Sequence, residues 1–293
     1  MLQDLGFAEA RPDVHFPTEP RQRIAVASYP FREFIPGPDH NPSARTVELK
    51  DFAAHVAEKF DVHRIEPWSA HFSSTETKHL EEIRKGIEKA KSGVANIAVD
   101  GEHSQYATDR AERQQAIDLG KKWVDVAVVI GSPSIRTNIP EAKDSQPDLD
   151  RAADSLREVV DYSSRKNVVV HLENDNPASE DPFFLVKLVE KVNSPWLHPL
   201  PDFGNSLAHR DANYAYRGIQ ALFDHAYGIC HVKKRERSDT GAMVEVDMAR
   251  TFGILKASRY RGYLSMEFDS AGDVYQGTNE LIQDTLRYLS PKN

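Results

Sequence analysis

The chain has 293 residues, of which 40% are hydrophobic and 28% charged, a formal net charge of −8 and one cysteine, Cys230. This length and composition suit a soluble globular protein, and a single cysteine excludes an internal disulfide or a thiolate metal cluster. The acidic balance disfavours general nucleic-acid binding, and no apolar run is long enough to cross a bilayer. We therefore predict neither a nucleic-acid partner nor a membrane partner.

The first twenty residues are polar and contain proline, with neither a basic start nor an apolar centre, so they are not typical of a signal peptide. We predict an N-terminal tail over residues 1–20 that lies along the surface, followed by one domain over residues 21–293. We expect a cytoplasmic protein, or a periplasmic one if a leader precedes this sequence.

Short β-rich runs alternate with longer amphipathic runs along the rest of the chain. The predicted strands are, in chain order, 24–29, 63–68, 94–99, 124–130, 167–172, 197–203, 227–232 and 262–268. Helical periodicity is clearest in residues 46–60, 155–166, 181–192 and 279–289. Pro147 and Pro182 stand where helices start well.

Strands that are buried on both faces and followed by helices indicate a parallel sheet. About eight such units predict an α/β protein with a closed (β/α)8 TIM barrel as its single domain. A doubly wound open sheet is the alternative, and it would call for a glycine-rich turn such as GxGxxG after the first strand. The first strand instead continues into "SYPFREF".

The ends of the last four predicted strands carry ionisable side chains. The fifth strand, in "VVVHLEND", runs from buried valines directly into Glu173, and the next three strands end near Asp202, His231 and Glu267. Because the C-terminal ends of barrel strands form the active-site face, these side chains should meet at one rim.

Three carboxylates at one barrel mouth repel one another unless positive charge compensates them. A divalent cation would do so, and two Glu, one Asp and one His form a mixed oxygen and nitrogen shell that suits Mn²⁺, Mg²⁺, Co²⁺ or Zn²⁺. Such an ion would polarise a carbonyl while a nearby carboxylate takes a proton from carbon. The sequence therefore predicts one divalent metal ion as cofactor.

Each of these residues also has an ordinary structural interpretation when it is taken alone. A strand-end Glu often forms a surface salt bridge, Asp202 could cap the following helix, and His231 could be a core histidine. The metal-site interpretation depends on the joint pattern of four consecutive strands with complementary ligand types.

The second predicted strand adds Glu66 to the same rim, followed by Trp68 and His71. We predict that these three residues contribute to substrate binding. Trp68 and Tyr29 could stack on the face of a substrate ring, although ordinary rim packing is an equal alternative.

From about residue 24 to residue 289, the sequence resembles the xylose-isomerase-like TIM barrels of the sugar phosphate isomerase/epimerase superfamily. The resemblance rests on "HLEN", "PDFGN", "CHVKKRER" and "LSMEFD" at the ends of strands five to eight. It implies that Glu173, Asp202, His231 and Glu267 bind one divalent metal ion. It also implies that Glu173 and Glu267 form the catalytic proton-transfer pair known from ketose 3-epimerases.

The same resemblance implies that Lys233 and Arg237 contact substrate oxygens, with Arg235 as a rival for either role. Asn205 stands where epimerases often place a substrate-contacting histidine, and Ser179 stands where they often carry a second acid. At these two positions the sequence departs from the epimerase pattern. The basic run 233–237 could bind a phosphate or could be a solvated loop.

We therefore predict a metal-dependent sugar, keto-sugar or polyol isomerase or epimerase that acts by proton transfer next to a carbonyl, through an enediolate. Its partner would be a small-molecule sugar, and a homo-oligomer is compatible with the fold. The alternatives are a metal-dependent dehydratase or lyase of a keto-sugar, an abasic-site endonuclease, and a non-catalytic sugar-binding barrel. The endonuclease would need more histidine ligands and a basic groove.

Overall fold

Buried strands alternate with amphipathic helices in the computed structural model, which describes residues 11–39, 41–42, 46–175 and 178–290. The strands are β1 Ile24–Ala27, β2 Arg64–Glu66, β3 Gly93–Val94, β4 Ile97–Val99, β5 Ser134–Thr137, β6 Val169–Glu173, β7 Leu197–Leu200, β8 Ile229–Val232, β9 Arg235–Arg237, β10 Met243–Glu245 and β11 Tyr263–Met266. The α-helices are α1 Leu49–Phe60, α2 Thr77–Lys89, α3 Arg110–Ile130, α4 Leu149–Ser164, α5 Pro182–Val192, α6 Asn205–His209, α7 Ala212–His225, α8 Met248–Ala257 and α9 Val274–Leu289.

The barrel strands pair in parallel and in sequence order around a ring. One sheet has the order β3-β2-β1-β11-β8 and the other the order β4-β5-β6-β7. Two parallel bridges, Trp68 with Ala98 and Asp202 with His231, connect the sheets at both edges, and β3 leads directly into β4. The chain thus forms a TIM barrel, as predicted, with β9 and β10 as an antiparallel hairpin outside it.

The core lies between the barrel and the helices that surround it. Strands β1 and β6 are buried along their whole length, because a barrel strand faces packed side chains on both sides. Helix α1 turns Phe52, Ala53 and Val56 inward at helical spacing. An aspartate caps the N-terminus of six helices through its side chain: Asp109, Asp148, Asp181, Asp211, Asp247 and Asp273.

The predicted strand at residues 124–130 is wrong, because this segment is the C-terminal part of helix α3. Its apolar residues follow helical rather than alternating burial: Val124 and Ala127 are fully buried, whereas Val128 is 46% exposed. Gly131 ends the helix in the left-handed conformation with φ 77°, where glycine has no steric penalty. The fourth barrel strand is β5, which follows immediately.

Residues 11–19 pack at the end of the barrel opposite the strand C-termini. The Asp13 amide donates a hydrogen bond to Asn167 Oδ1, and the Phe16 ring lies edge-on to Tyr227 and Tyr263 at 5.3 and 5.6 Å. Residues 1–10 of the predicted tail lie outside the described residues, and the boundary at residue 20 stays a prediction. Within the described part of the chain, none of the helices has the length and apolar character to cross a membrane.

Candidate metal centre

The strand ends bring the four predicted ligands together. Glu173 is the last residue of β6, Asp202 follows β7 by two residues, His231 lies in β8, and Glu267 follows β11. One potential ligand atom from each of the four lies within 4.8 Å of the others, and all four side chains are buried. The parallel register of the barrel produces this cluster, since each strand delivers its C-terminal residues to the same end.

Asp202 both caps a helix and faces the cluster. Its Oδ1 atom accepts hydrogen bonds from the amides of Gly204 at 2.8 Å and Asn205 at 2.7 Å, where α6 begins. Its Oδ2 atom is buried and meets the hydrogen-bond criteria with none of the described residues, although Lys233 Nζ is 3.3 Å away. The helix-cap interpretation therefore applies to Oδ1, whereas Oδ2 faces the cluster with the Lys233 ammonium nearby.

His231 is held between carboxylates on both ring nitrogens. Its Nε2 atom lies 3.0 and 3.1 Å from the two oxygens of Glu66, and its Nδ1 atom lies 2.8 Å from Glu173 Oε1 and 3.5 Å from Glu267 Oε2. Burial lowers the pKa of His231, but the carboxylates of Glu66, Glu267 and Glu173 raise it well above the usual value. A carboxylate on the far nitrogen of a ligating histidine fixes the ring orientation in metal sites, and Glu66 occupies that position.

Arg136 is a site residue that the sequence reasoning missed. It lies in β5 with 5% exposure, its Nε is 2.7 Å from Glu173 Oε2, and its Nη1 is 2.5 Å from Asp100 Oδ1. Because the fourth strand was predicted at residues 124–130, the run 134–137 was not recognised as a barrel strand, and Arg136 was not placed at the site. The short run "SIRT" between Pro133 and Asn138, with turn-forming residues on either side, was the available signal.

Lys233 supplies positive charge on the other side of the cluster. Its Nζ atom lies 2.9 Å from both Glu267 Oε2 and Glu236 Oε2, and it donates a hydrogen bond to Asn205 Oδ1 at 3.0 Å. Burial acts to raise the pKa of Glu267, but Lys233 and His231 lower it to about 2. Burial raises the pKa of Asp202 to about 7, aided by Glu267 and Glu173 and opposed by Lys233.

A cavity of about 220 Å³ opens directly above the cluster. Its lining includes the carboxylates of Asp100, Glu173, Asp175, Glu236, Glu267 and Asp269. The other described residues of the lining are Tyr29, Arg136, Asn205 and Lys233. This cavity is smaller than the range of roughly 300–1,000 Å³ typical of drug-sized ligands, so it suits a small polar molecule.

Two of the predicted substrate-binding residues, Lys233 and Asn205, line this cavity. Arg237 does not: it is exposed on the β9–β10 hairpin, where its Nη1 donates a hydrogen bond to the Gly241 carbonyl. Arg235 on the same hairpin pairs with Glu245 at 2.6 Å.

The three residues predicted at the end of strand two, Glu66, Trp68 and His71, do not belong to the cavity lining. Glu66 is fully buried beneath His231, and His71 is buried with its Nδ1 2.9 Å from Ser28 Oγ. The Trp68 ring packs edge-on against Tyr29, and its indole N–H donates a hydrogen bond to Asp100 Oδ2 at 2.5 Å. The structure therefore brings Trp68 to the rim and places Glu66 and His71 beneath it.

The donor set fits a divalent cation. Three carboxylates and one imidazole converge in a buried place, and the buried Oδ2 of Asp202 accepts no hydrogen bond from the described residues. Carboxylate oxygen with one imidazole nitrogen is a ligand combination found for Mg²⁺, Mn²⁺, Co²⁺ and Zn²⁺.

The chain belongs to the xylose isomerase-like TIM barrel family. The family model with that description matches residues 52–292, which is most of the chain and contains all four residues of the cluster. The resemblance inferred from the strand-end motifs is thereby confirmed. No curated protein has a significant sequence match to the chain.

Several solved structures share the fold at low sequence identity. An L-ribulose 3-epimerase has a TM-score of 0.71 at 16% identity, with 91% of this chain and 95% of that chain covered. A xylose isomerase-like TIM barrel protein from Mycobacterium smegmatis, in complex with magnesium, has a TM-score of 0.68 at 16% identity and covers 91% and 97%. The probable 3-DHS dehydratase AsbF from Bacillus anthracis has a TM-score of 0.65 at 14% identity and covers 89% and 97%. At sequence identities of 14–16%, these similarities show a shared fold and do not show a shared activity.

Proposed function

We propose that this protein is a divalent-metal-dependent isomerase or epimerase of a sugar, keto-sugar or polyol. The observation that carries the proposal is the buried convergence of Glu173, Asp202, His231 and Glu267 within 4.8 Å at the floor of a small polar cavity. A sugar epimerase with the same fold adds support for the reaction class.

The four clustered side chains would hold the ion, which would be Mn²⁺, Mg²⁺, Co²⁺ or Zn²⁺. When bound, a divalent cation supplies Lewis-acid polarisation to a carbonyl group nearby. The protein's own contribution is to keep the ligands oriented, through Glu66 on His231, Arg136 on Glu173 and the α6 amides on Asp202.

Glu267 is the proposed proton acceptor of the reaction. Its Oε2 atom contacts Lys233 Nζ at 2.9 Å and lies 3.5 Å from His231 Nδ1. Because Glu267 lines the cavity, it would take a proton from a substrate carbon beside a carbonyl. In an isomerisation it would return the proton to the adjacent carbon, whereas in an epimerisation Glu173 would deliver a proton to the same carbon from the opposite face.

Glu173 is the proposed second proton-transfer group, acting on the opposite face of the enediolate. Its Oε2 atom contacts Arg136 at 2.7 Å, so that contact would have to open before Glu173 could take part. Lys233 and Asn205 would hold substrate oxygens and stabilise the negative charge that develops on them.

A keto-sugar dehydratase is the second candidate, and one observation favours it. The Lys233 ammonium lies 2.9 Å from Glu267 Oε2, so an acid and a base stand side by side at the cavity. Such a pair could remove a proton from carbon and protonate a departing hydroxyl. The product mass separates the candidates, since an isomerase conserves mass and a dehydratase loses water.

The test is a screen of keto-sugars, aldoses and polyols with Mn²⁺-loaded protein, read by product mass and NMR. We expect one class to be converted, and we expect Glu267→Gln to lower kcat by a factor of about 10²–10⁴, the usual contribution of a general acid or base. Glu280→Gln, on the exposed face of α9, is the matched control and should leave kcat unchanged. Full activity in the Glu267→Gln variant would refute the proposed role.

A further inference from the structure

The charge around the cavity restricts the substrate further than the reaction class does. Among the described residues, six carboxylates line the cavity, against two cationic side chains, Arg136 and Lys233. A bound divalent ion would still leave an excess of negative charge there. A confined site with one sign of charge repels ligands of that sign.

Both cations of the lining are already paired with carboxylates. Arg136 contacts Glu173 at 2.7 Å and Asp100 at 2.5 Å. Lys233 contacts Glu267 and Glu236, each at 2.9 Å. A phosphate or carboxylate on the ligand would compete with these partners for the cations, and a displaced Glu173 or Glu267 would be left buried without its cation, which is strongly unfavourable.

Arg32, at the rim of the cavity, is a further cation that is already paired with a carboxylate. Its Nη2 atom donates a hydrogen bond to Asp269 Oδ1 at 2.9 Å, and its guanidinium lies 4.4 Å from the centre of the Tyr29 ring. The carboxylate that it contacts lines the cavity, so this third cation is also neutralised locally.

The basic run after β8 does not provide a phosphate site in this cavity. Lys234 pairs with Asp284, Arg235 pairs with Glu245, and neither belongs to the cavity lining. Arg237 is directed to the hairpin turn, as described above. Of the basic side chains in the run 233–237, only that of Lys233 lines the cavity.

What the cavity offers instead is a dense set of hydrogen-bond acceptors. Carboxylates only accept hydrogen bonds, and hydroxyl groups donate them, so a ligand rich in hydroxyls can satisfy this wall without carrying charge. We infer that the site takes an uncharged, polyhydroxylated molecule of monosaccharide size, and that it discriminates against phosphate esters and sugar acids. This inference rests on the proposed function.

The test compares neutral sugars with their phosphate esters on the Mn²⁺-loaded full chain by isothermal titration calorimetry. The panel pairs D-fructose with D-fructose 6-phosphate and D-ribulose with D-ribulose 5-phosphate, and adds the free ketohexoses and ketopentoses. We expect at least one free ketose to bind, and any ester of a binding ketose to bind at least about tenfold more weakly, which corresponds to about 1.4 kcal/mol.

A substitution tests whether the carboxylates around the cavity cause the weaker binding of the esters. Asp100 is 43% exposed, so Asp100→Asn should fold, while it removes one carboxylate and leaves Arg136 with Glu173 as its remaining carboxylate partner. We expect the affinity of the ester relative to the free sugar to rise about tenfold in this variant. Asp118→Asn, on the exposed side of α3, is the matched control and should leave the ratio unchanged.

Three results would overturn the inference: an ester that binds as tightly as its free sugar, an unchanged ratio in Asp100→Asn, or no binding of any free ketose. Metal content measured on the same samples distinguishes these results from a failure of the proposed function. A chain that holds no metal refutes the proposed function, whereas a metal-loaded chain that prefers esters refutes only the charge selectivity.

Discussion

The proposed ligands are held in place by neighbours that would not touch the metal. Glu66 contacts the far nitrogen of His231, and Arg136 contacts the far oxygen of Glu173. These contacts are buried, so each one fixes the orientation of a ligand more firmly than an exposed pair would. At the scale of single residues, the site is therefore a set of ligands with a second ring of charged partners.

Glu66 gives the most direct test of this arrangement. Glu66→Gln keeps the shape of the side chain but removes the charge that holds the Nε2 side of His231, so we expect Mn²⁺ affinity to fall by about 10- to 100-fold, the usual cost of losing such a partner. Calorimetric titration of the metal-free protein with Mn²⁺ measures the change.

The control for this substitution is Glu82→Gln on the exposed face of α2, which should bind Mn²⁺ like the original protein. Thermal unfolding of both variants without metal separates a loss of folding from a loss of affinity. Equal Mn²⁺ affinity in Glu66→Gln and the original protein would show that the contact with His231 does not support metal binding.

The sequence was sufficient to predict that the four proposed ligands meet, but not which charged residues surround them. Glu173, Asp202, His231 and Glu267 could be predicted because the C-termini of parallel strands share one end of the barrel, so strand-end residues must meet. Arg136 and Asp100 could not be placed, since their contacts depend on the exact start of β5 and on side-chain directions that no periodicity encodes.

At the scale of elements, helix α3 shows why a β-branched run can mislead. "VDVAVVI" has the composition of a strand, yet the segment continues a helix that Asp109 caps at its N-terminus and Gly131 ends. Tertiary packing overrides the local preference of valine for strands. A strand there would also leave the buried run 134–137 without a place in the barrel.

Two substitutions distinguish the helix from a strand. In a strand, Val126 and Val128 would share one face, whereas in α3 residues two apart lie on opposite sides: Val126 is 3% exposed and Val128 is 46% exposed. We expect Val126→Ala to lower the free energy of unfolding by about 2 kcal/mol, through lost burial and a cavity.

Val128→Ala is the matched substitution on the exposed side of the helix. It should raise the free energy of unfolding by up to about 0.5 kcal/mol, because alanine favours a helix more than valine does. Urea unfolding measures both values. Similar destabilisation by the two substitutions would contradict the helical assignment.

At the scale of the whole molecule, the regular alternation of strands and helices made the barrel predictable, because local errors in one unit leave the count and order of the others intact. The packing of the N-terminal segment was not predictable. Residues 11–19 lack the periodicity of a strand or a helix, so their sequence gives no sign that Phe16 reaches Tyr227 and Tyr263 under the barrel.

Phe16 tests the contribution of that segment. Phe16→Ala removes two edge-on ring contacts, so we expect the free energy of unfolding to fall by about 2 kcal/mol, below the roughly 3–5 kcal/mol of a fully buried phenylalanine. His15→Ala is the control, since the His15 side chain is 93% exposed. Chemical denaturation that gives the same value for both variants would show that residues 11–19 do not stabilise the barrel.

The most direct test of the proposed metal-dependent function is the metal content of the purified protein. Mass spectrometry, before and after dialysis against Mn²⁺, should find about one tightly held divalent ion per chain. The ion should be lost when Glu173 and Glu267 are both replaced by glutamine. A folded protein that holds no metal in either sample would contradict the proposed mechanism, and the buried acids at the strand ends would then belong to a binding barrel without catalysis.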